Sequence, residues 1–252
     1  WPTPGGINTF AGLTTNRTGA LFMKRPVTPP REGEILGRMG LVRLKDGGAF
    51  ADSSAPPDLI VPRESYGASS KGNTSSTASN YGPAYYWAWH PQGYFLAADG
   101  GKYEIILARK DAKPLVIRRS PGPVPVAEEE RDIEKAGITH NMRNVEPGWS
   151  WRGPALPSNK APMMGLSVAR DGRIWVKVAV ASEEIPEAER SEPEDSLAPV
   201  IKHRTPTVYE VFEPTGRFLG RVAFPPRARF AEAEGDLVWA IVRDADDVTA
   251  DR

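Results

Sequence analysis

The chain has 252 residues, enough for one large domain or two small ones. Its 32 basic and 32 acidic residues balance, which argues against nucleic acid or an anionic membrane as the main partner. The absence of cysteine excludes disulfide frameworks and thiolate metal sites. Twenty-five prolines and 24 glycines mark a turn-rich chain and favour an all-β architecture, and no stretch approaches the roughly 18–20 apolar residues of a membrane span.

In chain order, a first unit (residues 7–57) reads as four strands in meander order: 7–15, 20–25, 41–44 and 49–54. The first pair turns at Gly19, and a proline-rich link (26–34) joins the second strand to the third. Residues 58–83 are dominated by Gly, Ser, Thr and Asn. Such a stretch has little apolar surface to offset its ordering entropy, so it reads as a floppy loop, or in functional terms a mobile binding loop. The second unit (84–120) is the most compact, with strands at 85–90, 94–98, 103–108 and 114–118. Residues 126–136 predict one short inserted helix, with acids in its first turn, Lys135 near its end and Gly137 to terminate it. An aromatic, proline-rich loop follows at 147–154. The third unit (162–226) has strands on both sides of Gly172, an acidic insertion (182–195), and strands at 207–212 and 218–224. A fourth unit (227–252) stops after its second strand.

The units repeat one phrase: an apolar strand, a polar turn closing on glycine, and a second apolar strand. The glycines are Gly19, Gly93, Gly172 and Gly235. Gly93 to Asp111 spans 18 positions and Gly216 to Gly235 spans 19, so the minimal unit is about 37 residues, close to a four-stranded propeller blade. The excess length falls at 26–40, 58–83, 121–161 and 179–206, always after the second or the fourth strand of a unit. In an up-and-down meander these links share one end, so all the long loops are expected on one face.

Two phrases, 168–176 (VARDGRIWV) and 209–222 (YEVFEPTGRFLGRV), resemble the bacterial six-bladed β-propellers of the NHL/TolB-like repeat type. The resemblance covers 84–252 well and 1–83 loosely. Glu213 stands where that family usually has Asp. The resemblance implies an all-β, six-bladed propeller of four-stranded antiparallel meander blades, of which this chain supplies about three and a half as a single partial domain (1–252). The remaining blades and any export signal are expected upstream of Trp1, with closure beyond Arg252. It also implies a periplasmic, exported or cell-envelope location.

Catalytic motifs are sparse. His90, His140 and His203 are far apart and form neither HxH nor HExxH, and no GxSxG, GxGxxG or GxxxxGK[ST] occurs. Residues 243–247 (RDADD) hold three carboxylates but lack the glycine and distal Glu of an EF-hand loop. Asp99 and Lys102, in the one short link between second and third strands, together with Arg25 and Arg243, are candidates for a polar ring at a channel mouth. Trp149, Trp151 and Arg152 are candidates for a partner contact, because aromatic and Arg side chains dominate hot spots. The resulting expectation is a non-catalytic binding or scaffold propeller that recognises a protein or glycan through its long-loop face. The alternative is a lactonase-type hydrolase with Ca²⁺ in the channel.

Overall fold

The computed structural model describes residues 12–29, 38–110, 112–190, 198–243 and 249–251, the last strand and Arg243 by backbone alone. It is mostly β. The first sheet is a meander of β1 (Leu13–Thr15), β2 (Leu21–Pro26), β3 (Met39–Leu44) and β4 (Phe50–Ser54). A separate hairpin follows, β5 (Ser65–Ser70) and β6 (Asn73–Ala78). The second sheet is the meander β7 (Tyr85–His90), β8 (Tyr94–Asp99), β9 (Glu104–Ala108) and β10 (Leu115–Arg118). Next come a two-residue strand β11 (Val124–Pro125), the helix α1 (Glu128–Arg143) and β12 (Asn159–Lys160), which pairs back to β11. The third sheet starts with β13 (Met163–Val168) and β14 (Ile174–Val178). A small hairpin, β15 (Glu183–Glu184) with β16 (His203–Arg204), interrupts it before β17 (Val208–Phe212) and β18 (Phe218–Ala223) complete it. β19 (Ala228–Glu234), β20 (Leu237–Arg243) and β21 (Thr249–Asp251) form a three-stranded fourth sheet.

The sheets pack face to face in sequence order, because their middle strands are apolar on both faces. All six residues of β8 are buried. Tyr94, Leu96 and Ala98 join Ile174, Val176, Val178 and Phe212 between the second and third sheets. The alternate residue Phe95 points the other way, to Phe22 and Leu41 of the first sheet. β14 repeats this arrangement. Ile174, Val176 and Val178 face the second sheet, and Trp175 faces the fourth, stacked on Phe230 with ring centroids 4.7 Å apart. A strand buried on both faces reads as a continuous apolar run, and the period of two divides its side chains between two cores. At roughly 1.5–3 kcal/mol for each large side chain buried, these two strands carry much of the association between sheets. Trp87 and Trp89 pack at the first interface, Trp89 lying 5.2 Å from Phe22, whereas Trp239 of the fourth sheet is 42% exposed.

The tight turns of successive sheets bond to one another. The Arg17 amide donates to Pro91 O (2.9 Å), the Arg109 guanidinium donates to Pro214 O, and the Gly235 amide donates to Asp171 Oδ2 (3.0 Å). At the centre of this end His90 is fully buried and stacked on Tyr94. Its Nδ1 accepts from the Gln92 amide (3.1 Å), so Nε2 carries the proton and donates to Gly172 O (3.1 Å). Gly172 sits at φ +90, and a Cβ there would come within 2.8 Å of His90 Nε2, so the close approach requires glycine.

Three expectations are corrected. The fourth unit does not stop after its second strand, since β21 pairs with β20. Residues 65–78, read as a floppy loop, form the hairpin β5–β6: Tyr66 and Ala68 alternate inward and bury against α1, which replaces the missing apolar surface. The helix does not stop at Gly137 but runs to Arg143. Ile138 and Met142, one turn apart, are both buried against the hairpin, and that packing outweighs the roughly 1 kcal/mol cost of an internal glycine.

Burial of His90, with Arg17 and Arg109 nearby, pulls its pKa down to about 4, the bond to Gly172 resisting the shift. The unfolded chain therefore takes up this proton first. The contribution to stability is complete above about pH 6.5 and is lost as pH falls towards 4, on the order of 2–3 kcal/mol in all. Urea unfolding at pH 7.5 and pH 4.5 is expected to show this fall in the wild type, with a shallower fall in His90→Gln.

Candidate functional site

The opposite end of the sheets carries the inserted segments, and they build a second apolar core. Tyr66 and Ala68 of β5 pack with Ile138, Met142 and Trp149, flanked by Val145, Trp151 and Leu156. Trp149 is 1% exposed and donates Nε1–H to Gly67 O (2.9 Å). Trp151 packs against Tyr66 in a tilted pair, ring centroids 4.7 Å apart, with the Lys135 ammonium 5.4 Å from its ring centroid. The hairpin, the helix and the 147–156 loop thus hold one another over the sheet edges.

Beside this core lies a cleft of about 370 Å³. One wall is a stripe of α1: Glu130, Ile133, Glu134, Gly137, Ile138 and Asn141. Their three- and four-residue spacing puts them on one helix face. The hairpin end contributes Thr77, Ala78, Asn80 and Tyr81, and the facing wall Met164, Pro199, Ile201, His203 and Thr205.

The cleft's frame is polar and internally bonded. The Lys160 side chain is fully buried. Its ammonium donates to Val180 O (3.2 Å), Ser182 Oγ (2.5 Å) and Thr205 Oγ1 (3.0 Å), and pairs with Glu130 Oε1 at 3.4 Å. Glu130 Oε2 accepts from the Ala127 amide (3.1 Å) at the start of the helix. Burial alone would push the Glu130 carboxyl up. The Ser182 hydroxyl, the Ala127 amide and Lys160 hold it below the usual range instead, so it is ionised. Glu134, one turn on, accepts from Ser79 Oγ (3.0 Å) and the Asn80 amide (2.6 Å). Burial, with Glu130 adding to it, raises its carboxyl above the ordinary value against those two donors. Tyr81, between these acids, is pushed up to about 12 by burial and the two carboxylates. Sequence reading missed this group. The helix stripe was a signal available for Glu130 and Glu134, but nothing local marks Lys160 as buried.

A second cavity, about 290 Å³, adjoins an ion network centred on the buried Glu210 between the second and third sheets. Glu210 is 1% exposed. Its carboxylate accepts from Tyr103 Oη (2.5 Å) and pairs with Arg119 (3.1 Å) and Arg221 (2.7 Å). Burial, then the bond to Glu210, raises the Tyr103 phenol, which stays neutral and donates. Tyr103 has φ +47, an uncommon conformation for a bulky residue, at the end of the 99–103 link.

The residues picked out from sequence are not gathered into one ring by the described contacts. Asp99 closes its own turn: Oδ1 accepts from the Gly101 and Lys102 amides (3.0 and 3.3 Å), and Oδ2 pairs with Lys102 at 3.2 Å. Arg25 lies over the Phe50 ring at 4.7 Å. The Arg243 side chain and residues 244–247 lie outside the described residues. Trp149 is core rather than contact surface, while Arg152 is exposed and paired with Glu146. Among the described residues, no group of three or more His, Cys, Asp or Glu is placed to hold a metal ion. No helix of the described residues is long and apolar enough to cross a membrane. No family model matches the chain, and no curated protein matches it.

Replacing Lys160 by Met leaves the Glu130 carboxylate buried without its cation and is expected to cost about 3–5 kcal/mol. Urea unfolding of Lys160→Met against the double variant Lys160→Met/Glu130→Gln checks it: the double variant should recover part of the loss.

Proposed function

We propose that this chain is a β-propeller-type binding protein without catalytic machinery of its own, whose loop end recognises a protein or glycan. The observation that carries the proposal is the unlike construction of the two ends. At one end short turns are bonded to each other across sheets. At the other, a separate apolar core raises a hairpin and a helix above the sheets and leaves clefts between them. Rigid strands with elaborated loops at one end are how scaffolds carry recognition.

The propeller reading is supported by three consecutive four-stranded meanders, each packed on the next, with the first strands β7 and β13 of neighbouring sheets in contact. Each sheet is then a blade, and the exposed apolar residues of the terminal sheets, such as Leu13 and Leu237, are where further blades would pack. A cell-envelope location of a bacterium is the setting we infer from the resemblance of the repeats.

Peptide and glycan arrays probed with the labelled chain test the reading. Binding is expected to fall at least tenfold in Arg152→Glu, at the loop end, and to be unchanged in Lys113→Glu, at the turn end. Binding that is lost only in the turn-end variant overturns it.

A further inference from the structure

The cleft between α1 and residues 199–205 has a charge pattern that selects among ligands. Its cations are already taken. Lys160 is fully buried against Glu130, and Lys202 pairs with Glu129 at 2.9 Å. Glu134, on the cleft wall, accepts only from the neutral donors Ser79 and Asn80, and among the described residues no cation pairs with it. His203, on the opposite wall, has Nε2 at 3.9 Å from Glu129 Oε2. Its Nδ1 is buried and, among the described residues, has no hydrogen-bond partner. Glu134 thus lacks a counter-charge among the described residues, and the amide-bearing Asn80 and Asn141 line the same cleft. The apolar part of the lining is aliphatic: Ile133, Ile138, Met164, Pro199 and Ile201.

A half-buried carboxylate without a cation favours a ligand that brings donors and positive charge. Aliphatic walls favour an alkyl stem over a sugar ring, which needs a flat aromatic platform. Tyr81, the aromatic residue of the cleft, instead lies 5.8 Å from the Lys160 ammonium. We infer that this cleft receives a basic side chain, a lysine first, presented by a protein partner, with its stem along Ile133, Met164 and Ile201 and its ammonium at Glu134. The inference rests on the loop-end reading proposed above and narrows it to a protein partner with an exposed cation.

Titration of the ¹⁵N-labelled chain with Nα-acetyl-lysine methylamide tests it. Saturable shifts of backbone amides are expected within 130–141 and 199–205, with the neutral Nα-acetyl-norleucine methylamide binding at least tenfold more weakly. Glu134→Gln, which keeps an acceptor for Ser79 and Asn80, should weaken the lysine probe at least tenfold. Ile201→Lys should do the same by placing a cation of the chain's own at the cleft rim. Ile201 is 55% exposed, so that variant is expected to fold. Equal affinity for the norleucine probe, no effect of either variant, glucosamine binding as tightly as the lysine probe, or no shifts at the cleft would each overturn the inference. Array ligands that still bind the loop end while the lysine probe fails would overturn the basic side chain alone. Loss of loop-end binding on the arrays as well would overturn both readings.

Discussion

The structure depends on strands that are apolar on both faces. β8 and β14 each send alternate side chains into two different cores, so each sheet is held to the one before it and the one after it by the same strand. A sheet with one polar face would end the stack. The continuous apolar runs at 94–98 and 174–178 forbid that, because exposing either face would return several large side chains to water. A charged group at these interfaces is costly unless it is paired. Glu210 lies on the face of β17 that meets the second sheet, and it is tolerated there because one phenol and two guanidinium groups saturate it.

This stacking fixes the two ends. Turns at one end are drawn close enough for backbone groups of neighbouring sheets to bond, and His90 fills the space between them in its neutral form. There is little room at that end for insertions; even a methyl group on Gly172 meets the imidazole. Links at the other end are free to lengthen, and here they have lengthened into elements with a core of their own. The hairpin and the helix each lack enough apolar surface to be ordered alone. They become ordered because Tyr66, Ile138, Met142 and Trp149 cover one another. The cleft beside them follows from that packing, and its buried Lys160–Glu130 pair ties the start of the helix to the strands below.

The strands of the sheets were legible in the sequence because their signals are local. Alternation repeats at every second residue, and a glycine at a turn is required by the turn itself. The segments 85–90, 94–98 and 218–224 therefore read as strands close to their actual bounds, and the expected long loops lie where the insertions are. The continuous apolar run of β8 carried a signal for burial on both faces. It did not say which sheet covers each face.

What only the tertiary structure decided is the fate of residues whose partners are distant in sequence. The Ser- and Thr-rich segment 65–78 looked unable to order, and by itself it is; the Trp149 indole that bonds to Gly67 arrives from 82 positions away. Gly137 looked like a helix end until Ile138 and Met142 found the hairpin. Lys160, in a segment of Pro, Ser and Asn, carried no sign of burial, since its acceptors come from Val180, Ser182 and Thr205. The sequence by itself determined an all-β chain of repeated apolar hairpins, because backbone geometry imposes its period on neighbouring residues. The cleft and its charge were decided by the folded chain, because desolvation and ion pairing depend on which groups meet in space.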